Sequence, residues 1–262
     1  EAYPLPLDLC VATTQGEIGF LLAEALEEAL FRRGLELPVA TLLTRVLVSA
    51  NDPAFAHPTK PIGPELDAAE ARERDGAGWS VAELPGKGWR RVVPSPEPLD
   101  VVEAPAVRRL LDAGTLVVAL GGGGVPVVRA DGRMSGVEAV VDKDLGSALL
   151  ATEIGAGRLL ILTDVDGIYL GFGSPGAKRL GRVDAGELRR HAEELSSDLI
   201  VIGPHRGTAA HGGRGAAAGG VVCADHGSLL VGSSRRAGCP RVKRKPISAI
   251  WTSWPGASAG RS

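Results

Sequence analysis

The sequence predicts an α/β chain built on a doubly wound, mainly parallel sheet with a small subdomain inserted in it. Three observations carry this prediction. Strand-like apolar runs alternate with helical stripes, and Gly-rich turns follow the strand ends. The core must be aliphatic, since aromatics make up only 4% of the 262 residues while hydrophobic residues make up 44%. Such a composition suits buried parallel strands covered by helices. A proline-rich stretch interrupts the alternation near residue 50, and the pattern resumes near residue 98.

Taken in order, Thr13 or Thr14 is placed to cap a helix over Gly16–Arg33, whose Ile18, Leu21, Leu22, Ala25, Leu26 and Ala29 form one apolar stripe. Gly34 is its stop. Val39–Ser49, β-branched and nearly all apolar, reads as a strand. The string NDPAFAHPTKPIGP then carries four prolines in fourteen residues, which excludes a helix or a central strand. Glu65–Arg74 reads as a short polar helix, and WSVAEL and GWRRVV as two strands across a Pro-Gly-Lys-Gly turn. With Trp79 and Trp89 inside it, the stretch over about 50–98 is a lid subdomain and not a linker. The main pattern continues with a helix over Ala104–Ala113, a buried strand over Thr115–Leu120 and a helix over Leu145–Glu153. A strand in RLLILTDVDG, a helix over Val183–Glu194 and a strand in SDLIVIG complete it.

Charge divides the chain. Residues 1–202 hold twenty bases and thirty acids, whereas 203–262 hold nine bases and one acid, Asp225. We therefore expect one domain over 1–202 and a basic, Gly-rich tail of different origin over 203–262. Lys243-Arg244-Lys245 fits a nucleic-acid-binding arm, but the loss of pattern favours a non-family terminus. Apolar runs such as Leu159–Leu162 are too short to cross a bilayer, so no membrane segment is expected. Three cysteines without a CxxC pair suit a reducing, cytoplasmic setting.

Candidate chemistry clusters at strand ends. Gly121, Gly122, Gly123 and Gly124 follow a buried strand, and their backbone N–H groups can cradle an anion or simply form a tight turn. Their spacing matches neither the dinucleotide fingerprint nor Walker A. In Asp142-Lys143-Asp144, a lysine between two carboxylates can stay charged and placed to neutralise a phosphoryl group; the alternative is an ordinary capped helix start. Thr163, Asp164 and Asp166 end another strand, where they suit a ribose, Mg²⁺ or an Asx turn, and Tyr169 can wall an adenine pocket or merely pack. Lys60, held in a proline-rigid loop, can close over a small anion or be a solvated charge. No metal ligands are assigned, since the spacing of Cys223, His226, His205 and His211 fits no standard zinc site.

In sequence order, PLDLC, Gln15-Gly16, Ile18-Gly19, NDPAF, PTKPIGP, RRVVPSPEP, GGGGVPVV, GVEAVVDKDL and LILTDVDGIY resemble the carbamate kinases over about Leu5 to Arg190. The lid strings are the most specific, because other amino-acid kinases share the core without the insertion. The resemblance implies an amino-acid-kinase-type fold and reversible phosphoryl transfer between ATP and carbamate, giving ADP and carbamoyl phosphate with Mg²⁺, as in arginine degradation. It implies that Lys143 stabilises the transferring group and Asp142 orients it. Gly121–Gly124 then face the carbamate, and Thr163, Asp164, Asp166 and Tyr169 the nucleotide, with Lys60 reaching in from the lid. A cytoplasmic homodimer follows from the same resemblance.

Two departures qualify it. The family's Gly-Gly-Asn-Ala and His-Gly-Asn-Gly-Pro-Gln loops do not occur in these residues, and its Gly-Pro-Lys motif is echoed only by Gly203-Pro204-His205. Impaired activity is therefore the expectation. The alternative is a non-catalytic nucleotide-binding remnant whose basic tail engages a partner.

Overall fold

A computed structural model describes residues 5–84, 88–162, 168–170, 175–181, 220–224 and 229–233 of the chain. The first helix, α1, spans Leu7–Phe31 and so begins well before the expected Gly16. Thr13 and Thr14 do not cap it. They lie inside it, their hydroxyls donating to the carbonyls of Leu9 and Cys10 one turn back. The helix instead starts after Pro6, and the Leu7 N–H donates to Glu138 Oε1 at 2.7 Å, a carboxylate meeting the positive end of the helix. Gly34 does stop it, with φ at +64°.

Val39–Ser49 forms two strands instead of one: β1 (Val39–Thr41) and β2 (Arg45–Val48). The inserted segment holds a 3-10 turn at Pro53–Phe55, β3 (Lys60–Leu66), α2 (Ala68–Gly76), β4 (Val81–Leu84) and β5 (Gly88–Val93). Asp67 and Glu70 close a capping box on α2. These strands form an antiparallel sheet in the order β3-β5-β4, so the proline-bearing β3 is an edge strand, where a missing N–H is tolerated. Trp79 lies under Arg74 and Arg91, 5.1 and 4.7 Å from their guanidinium carbons.

After β6 (Pro98–Val101) come α3 (Ala104–Asp112), β7 (Leu116–Ala119), a 3-10 turn at Gly121–Gly123, β8 (Val125–Ala130), β9 (Arg133–Gly136) and α4 (Lys143–Glu153). Asp131 and Gly132, at φ +49° and +75°, join β8 to β9, an Asp-Gly hairpin signal that the sequence reading did not use. The remaining strands are β10 (Arg158–Ile161), β11 (Ile168–Leu170), β12 (Lys178–Leu180), β13 (Gly220–Ala224) and β14 (Leu229–Ser233). The helix expected over 183–194 and the strand expected in SDLIVIG lie outside the described residues.

A five-stranded sheet runs β1-β7-β14-β13-β10 and a four-stranded sheet β6-β2-β8-β9, while β11 and β12 pair separately. The mixed α/β character holds, with parallel pairing at β1/β7, β10/β13 and β2/β8. Antiparallel pairs enter beside them, as at β8/β9 and β13/β14, where a short connection cannot make the crossover that parallel pairing needs. Both β13 and β14 come from residues 203–262, the stretch where the periodicity of the sequence fades.

The core is aliphatic, as the composition predicts. Val46, Val101, Val107, Val117, Leu120, Val141 and Leu150 are essentially fully buried between the sheets, α3 and α4. Helix α1 lies on β1, β7, β8 and the glycine turn. Its 25 residues are apolar enough to cross a membrane by length and composition alone, which the short runs counted in the sequence did not foresee. One side of α1 is nonetheless seated on protein. Gly19 meets Thr41, whose hydroxyl donates to the Gly19 carbonyl at 2.9 Å, and a Cβ at Gly19 would collide with the Thr41 methyl.

Glu153 ends α4 at the wrong end of the helix for an acid, and no base lies in that last turn. Arg108 of α3 donates to the Glu153 carbonyl. Glu153 Oε1 accepts the Val101 N–H at 3.2 Å, while Oε2 is buried without a partner among the described residues. Burial first, opposed by the Val101 N–H and then helped by the adjacent Asp100, pushes this carboxyl up to about 7.

Two outcomes are expected. Gly19→Ala should lower stability by about 1–3 kcal/mol through overpacking against Thr41, read by urea denaturation. The Glu153 carboxyl is held protonated in the fold but ionises near 4.5 when unfolded, so its contribution is full below about pH 4.5 and is lost as pH rises toward 7. Melting temperatures between pH 5 and 8 should therefore fall less steeply in Glu153→Gln than in the parent; parallel profiles would contradict this.

Candidate active site

The strand β7 delivers the chain into Leu120 and the glycine turn. Leu120 itself has φ at +55°, a left-handed conformation that is costly for a residue with a branched side chain. Gly122, Gly123 and Gly124 follow at +65°, +91° and +89°. Two of these need glycine for space as well as for φ. A Cβ at Gly123 would collide with the Val141 carbonyl, and one at Gly124 with the Val46 side chain. The Gly123 and Gly124 N–H groups close the turn on the Leu120 and Gly121 carbonyls at 3.0 and 3.2 Å. The cradle expected from four glycines therefore narrows to the amides of Gly121 and Gly122.

The collision at Val141 shows what the turn abuts: the backbone entering α4. Asp142 is the N-cap of that helix, its Oδ1 accepting the N–H groups of Asp144 and Leu145 at 2.9 and 3.3 Å. Its Oδ2 accepts from Lys60 Nζ at 2.6 Å. Burial pushes the Asp142 carboxyl up, but the Lys60 hydrogen bond and charge, with the two backbone N–H groups, more than reverse this and leave it below the usual carboxylate range. Lys143, in the first turn, donates to Asp144 Oδ1 at 3.0 Å. The lysine expected between two carboxylates is thus paired with one of them, Asp144, while Asp142 holds Lys60 and the helix start. Asp144 is the residue that the candidate roles left out; its signal was present in the Asp-Lys-Asp triplet itself.

Lys60 reaches this point because the inserted sheet is fastened to the segment before α4. Arg91 of β5 pairs with Glu138 at 3.5 Å, and the Val140 N–H donates to the Pro94 carbonyl at 3.0 Å. The structure thereby brings together Gly121–Gly124, Asp142, Lys143 and Lys60, which lie as much as 83 residues apart in sequence. Tyr169 is half-buried in the β11–β12 pair, opposite Arg179. Thr163, Asp164 and Asp166 lie outside the described residues. Among the described residues no group of three His, Cys, Asp or Glu side chains could hold a metal ion.

The arrangement joins amide donors, the positive end of a helix and two half-buried lysines beside a glycine turn, which suits an anion. The chain is similar to several known proteins. Carbamate kinase of Thermococcus kodakarensis is 48% identical over 200 residues, 76% of this chain and 64% of that protein. Carbamate kinase from Giardia lamblia bound to citric acid superposes with a TM-score of 0.67 at 35% identity, covering 73% of this chain and 61% of that one. The same enzyme bound to AMP-PNP gives 0.65 at 30% identity over 86% and 72%. The chain spans less than two thirds of the length of the curated relatives it matches. A glycine turn set against a lysine-bearing helix start lies within residues 17–213, which match the model of the amino acid kinase family, and the chain belongs to that family.

Proposed function

We propose that the chain acts as a carbamate kinase, moving a phosphoryl group reversibly between ATP and carbamate to give ADP and carbamoyl phosphate. The observation that carries this reading is the contact of the glycine turn with the start of α4, with Lys60 bound to Asp142 at 2.6 Å. Phosphoryl transfer needs little covalent help; it needs alignment and charge neutralisation. In this reading the turn Gly121–Gly124 faces the carbamate side through its Gly121 and Gly122 amides, and Lys143 with the α4 dipole offsets the charge on the phosphoryl group in transit. Asp142 fixes the helix start and holds Lys60, which the inserted β3-β5-β4 sheet lowers over the site as a lid. Asp144 keeps Lys143 in place.

Thr163, Asp164, Asp166 and Tyr169 are assigned to the nucleotide, a role supported by similarity to the neighbour bound to AMP-PNP. The carboxylates described near the turn already face lysines, so they build no cage for Mg²⁺. They do not fit the ion as a protein-held metal, and it would arrive on the nucleotide phosphates. A doubly wound domain that draws β13 and β14 from the basic stretch 203–262, a cytoplasmic homodimer and a place in arginine degradation belong to the same reading.

The test is ATP formation from carbamoyl phosphate and ADP in a coupled assay. Weak turnover is expected, with Lys143→Ala losing about 10²–10³-fold of it while ADP still raises the melting temperature. No turnover in the parent, with heat stabilisation by ADP, would replace this reading with nucleotide binding alone. The depressed Asp142 carboxyl contributes stability above its unfolded value of 3.8, and that contribution is lost only at lower pH. Lys60→Met removes the cause that holds it down, so acid inactivation should begin at higher pH than in the parent, as measured by residual turnover after acid exposure.

A further inference from the structure

The glycine turn begins with a strained residue, and something must hold that strain. Leu120 is 2% exposed and left-handed, and its N–H donates to Thr44 Oγ1 at 2.7 Å. Thr44 is fully buried and comes from the break between β1 and β2, 76 residues away in sequence. Its hydroxyl has one proton, which it donates to Gln15 Oε1 at 3.0 Å. The same Gln15 oxygen accepts the Thr44 N–H at 3.0 Å, and Gln15 Nε2 donates to the Thr44 carbonyl at 3.0 Å. That carbonyl also accepts the Val125 N–H at 2.9 Å, on the far side of the turn. Gln15, 3% exposed, therefore grips Thr44 at both backbone groups, and Thr44 grips the glycine turn at both ends.

We propose that Gln15 and Thr44 are positioning residues for the anion held by the glycine turn, setting its amides through Leu120. The proposal rests on the reading of Gly121–Gly124 as the carbamate side of a kinase site. Neither side chain has to touch the substrate. The Thr44 hydroxyl serves as acceptor for Leu120 and donor to Gln15, so it fixes the direction of the chain as it enters the turn. Without it, the Leu120 N–H is left buried and unpaired, and a less strained backbone becomes accessible to the loop. The glycine amides then move relative to Lys143, and a shift of about an ångström is enough to weaken a preorganised site.

The variants are Thr44→Val, which keeps the shape and removes the hydroxyl, and Thr44→Ser, which restores it. In the coupled assay, Thr44→Val should raise KM for carbamoyl phosphate roughly tenfold and leave KM for ADP within about twofold, while Thr44→Ser returns both toward the parent. Simple loss of folded protein would lower apparent kcat and leave both KM values alone, and that result would overturn the proposal. So would a Thr44→Ser variant that rescues nothing. Should the parent show no turnover, the kinase reading fails separately, and hydrogen exchange over residues 120–125 decides the positioning role. Exchange there must quicken in Thr44→Val and not in Thr44→Ser; equal rates in all three proteins would sink the idea.

Discussion

At Thr44 the amide of Gln15 does what a neighbouring strand would otherwise do, and most of the architecture follows from that substitution. A buried backbone N–H and C=O must both be paired. In β1 and β2 the ladder supplies the pairing, but at Thr44 a side chain from α1 takes the N–H and shares the carbonyl with Val125, so the ladder can change partners there. Upstream the chain pairs with β7 in one sheet, and downstream it pairs with β8 and β6 in another. The glycine turn connects β7 to β8 and therefore also passes between the two sheets. Two crossings stand side by side, tied by Leu120 to Thr44 on one flank and Val125 to Thr44 on the other.

That junction explains why the charged groups converge where they do. The turn needs a wall, and the Val141 carbonyl provides it at a distance that only glycine permits at position 123. The wall is the residue just before the N-cap of α4, so the helix start is brought to the turn by backbone packing and not by charge. Partly buried ion pairs give back in desolvation much of what their attraction gains, so they are a weak force for assembling such a site. The pairs at Lys60–Asp142 and Lys143–Asp144 act on a smaller scale. They choose among lysine rotamers once the backbone has set the distances. Asp142 holds two roles at once, since one oxygen caps the helix and the other holds the cation from the inserted sheet.

Much of this was legible in the sequence because local rules govern it. Asp67 and Glu70 announce their capping box three residues apart, Gly34 and the turn glycines mark positive φ, and Val117 or Leu150 declare the core by composition. The grouping of Gly121–Gly124, Lys143 and Lys60 was legible too, since they sit in strings that resemble one family. What local rules could not give were the effects of distant partners. Thr13 and Thr14 are good caps by type, yet the helix runs through them because Glu138, far along the chain, satisfies its first N–H. Val39–Ser49 is a strand by every local measure, and it divides because Gln15 lies across it. The pairing of Lys143 with Asp144 instead of Asp142 depends on Lys60 having claimed the other acid.

The inserted sheet shows how such distant terms combine. Its composition alone suggests a mobile appendage: it is proline-rich, polar on α2 and only three strands wide. Its exit, however, is fixed at the segment before α4 through Val140 and Pro94, and Arg91 faces Glu138 beside the start of α1. A movement of this sheet therefore cannot leave the helix starts untouched, because the short stretch 137–142 carries both of its anchors and the cap of α4. The strand that presents Lys60 pairs with the strand that presents Arg91, with Ile62 opposite Arg91 and Lys60 opposite Val93. One register thus sets the lysine at Asp142 and the arginine at Glu138. Coupling between the insertion and the glycine turn is consequently a matter of backbone register, transmitted through residues 138–142, and the ion pairs report that register without creating it.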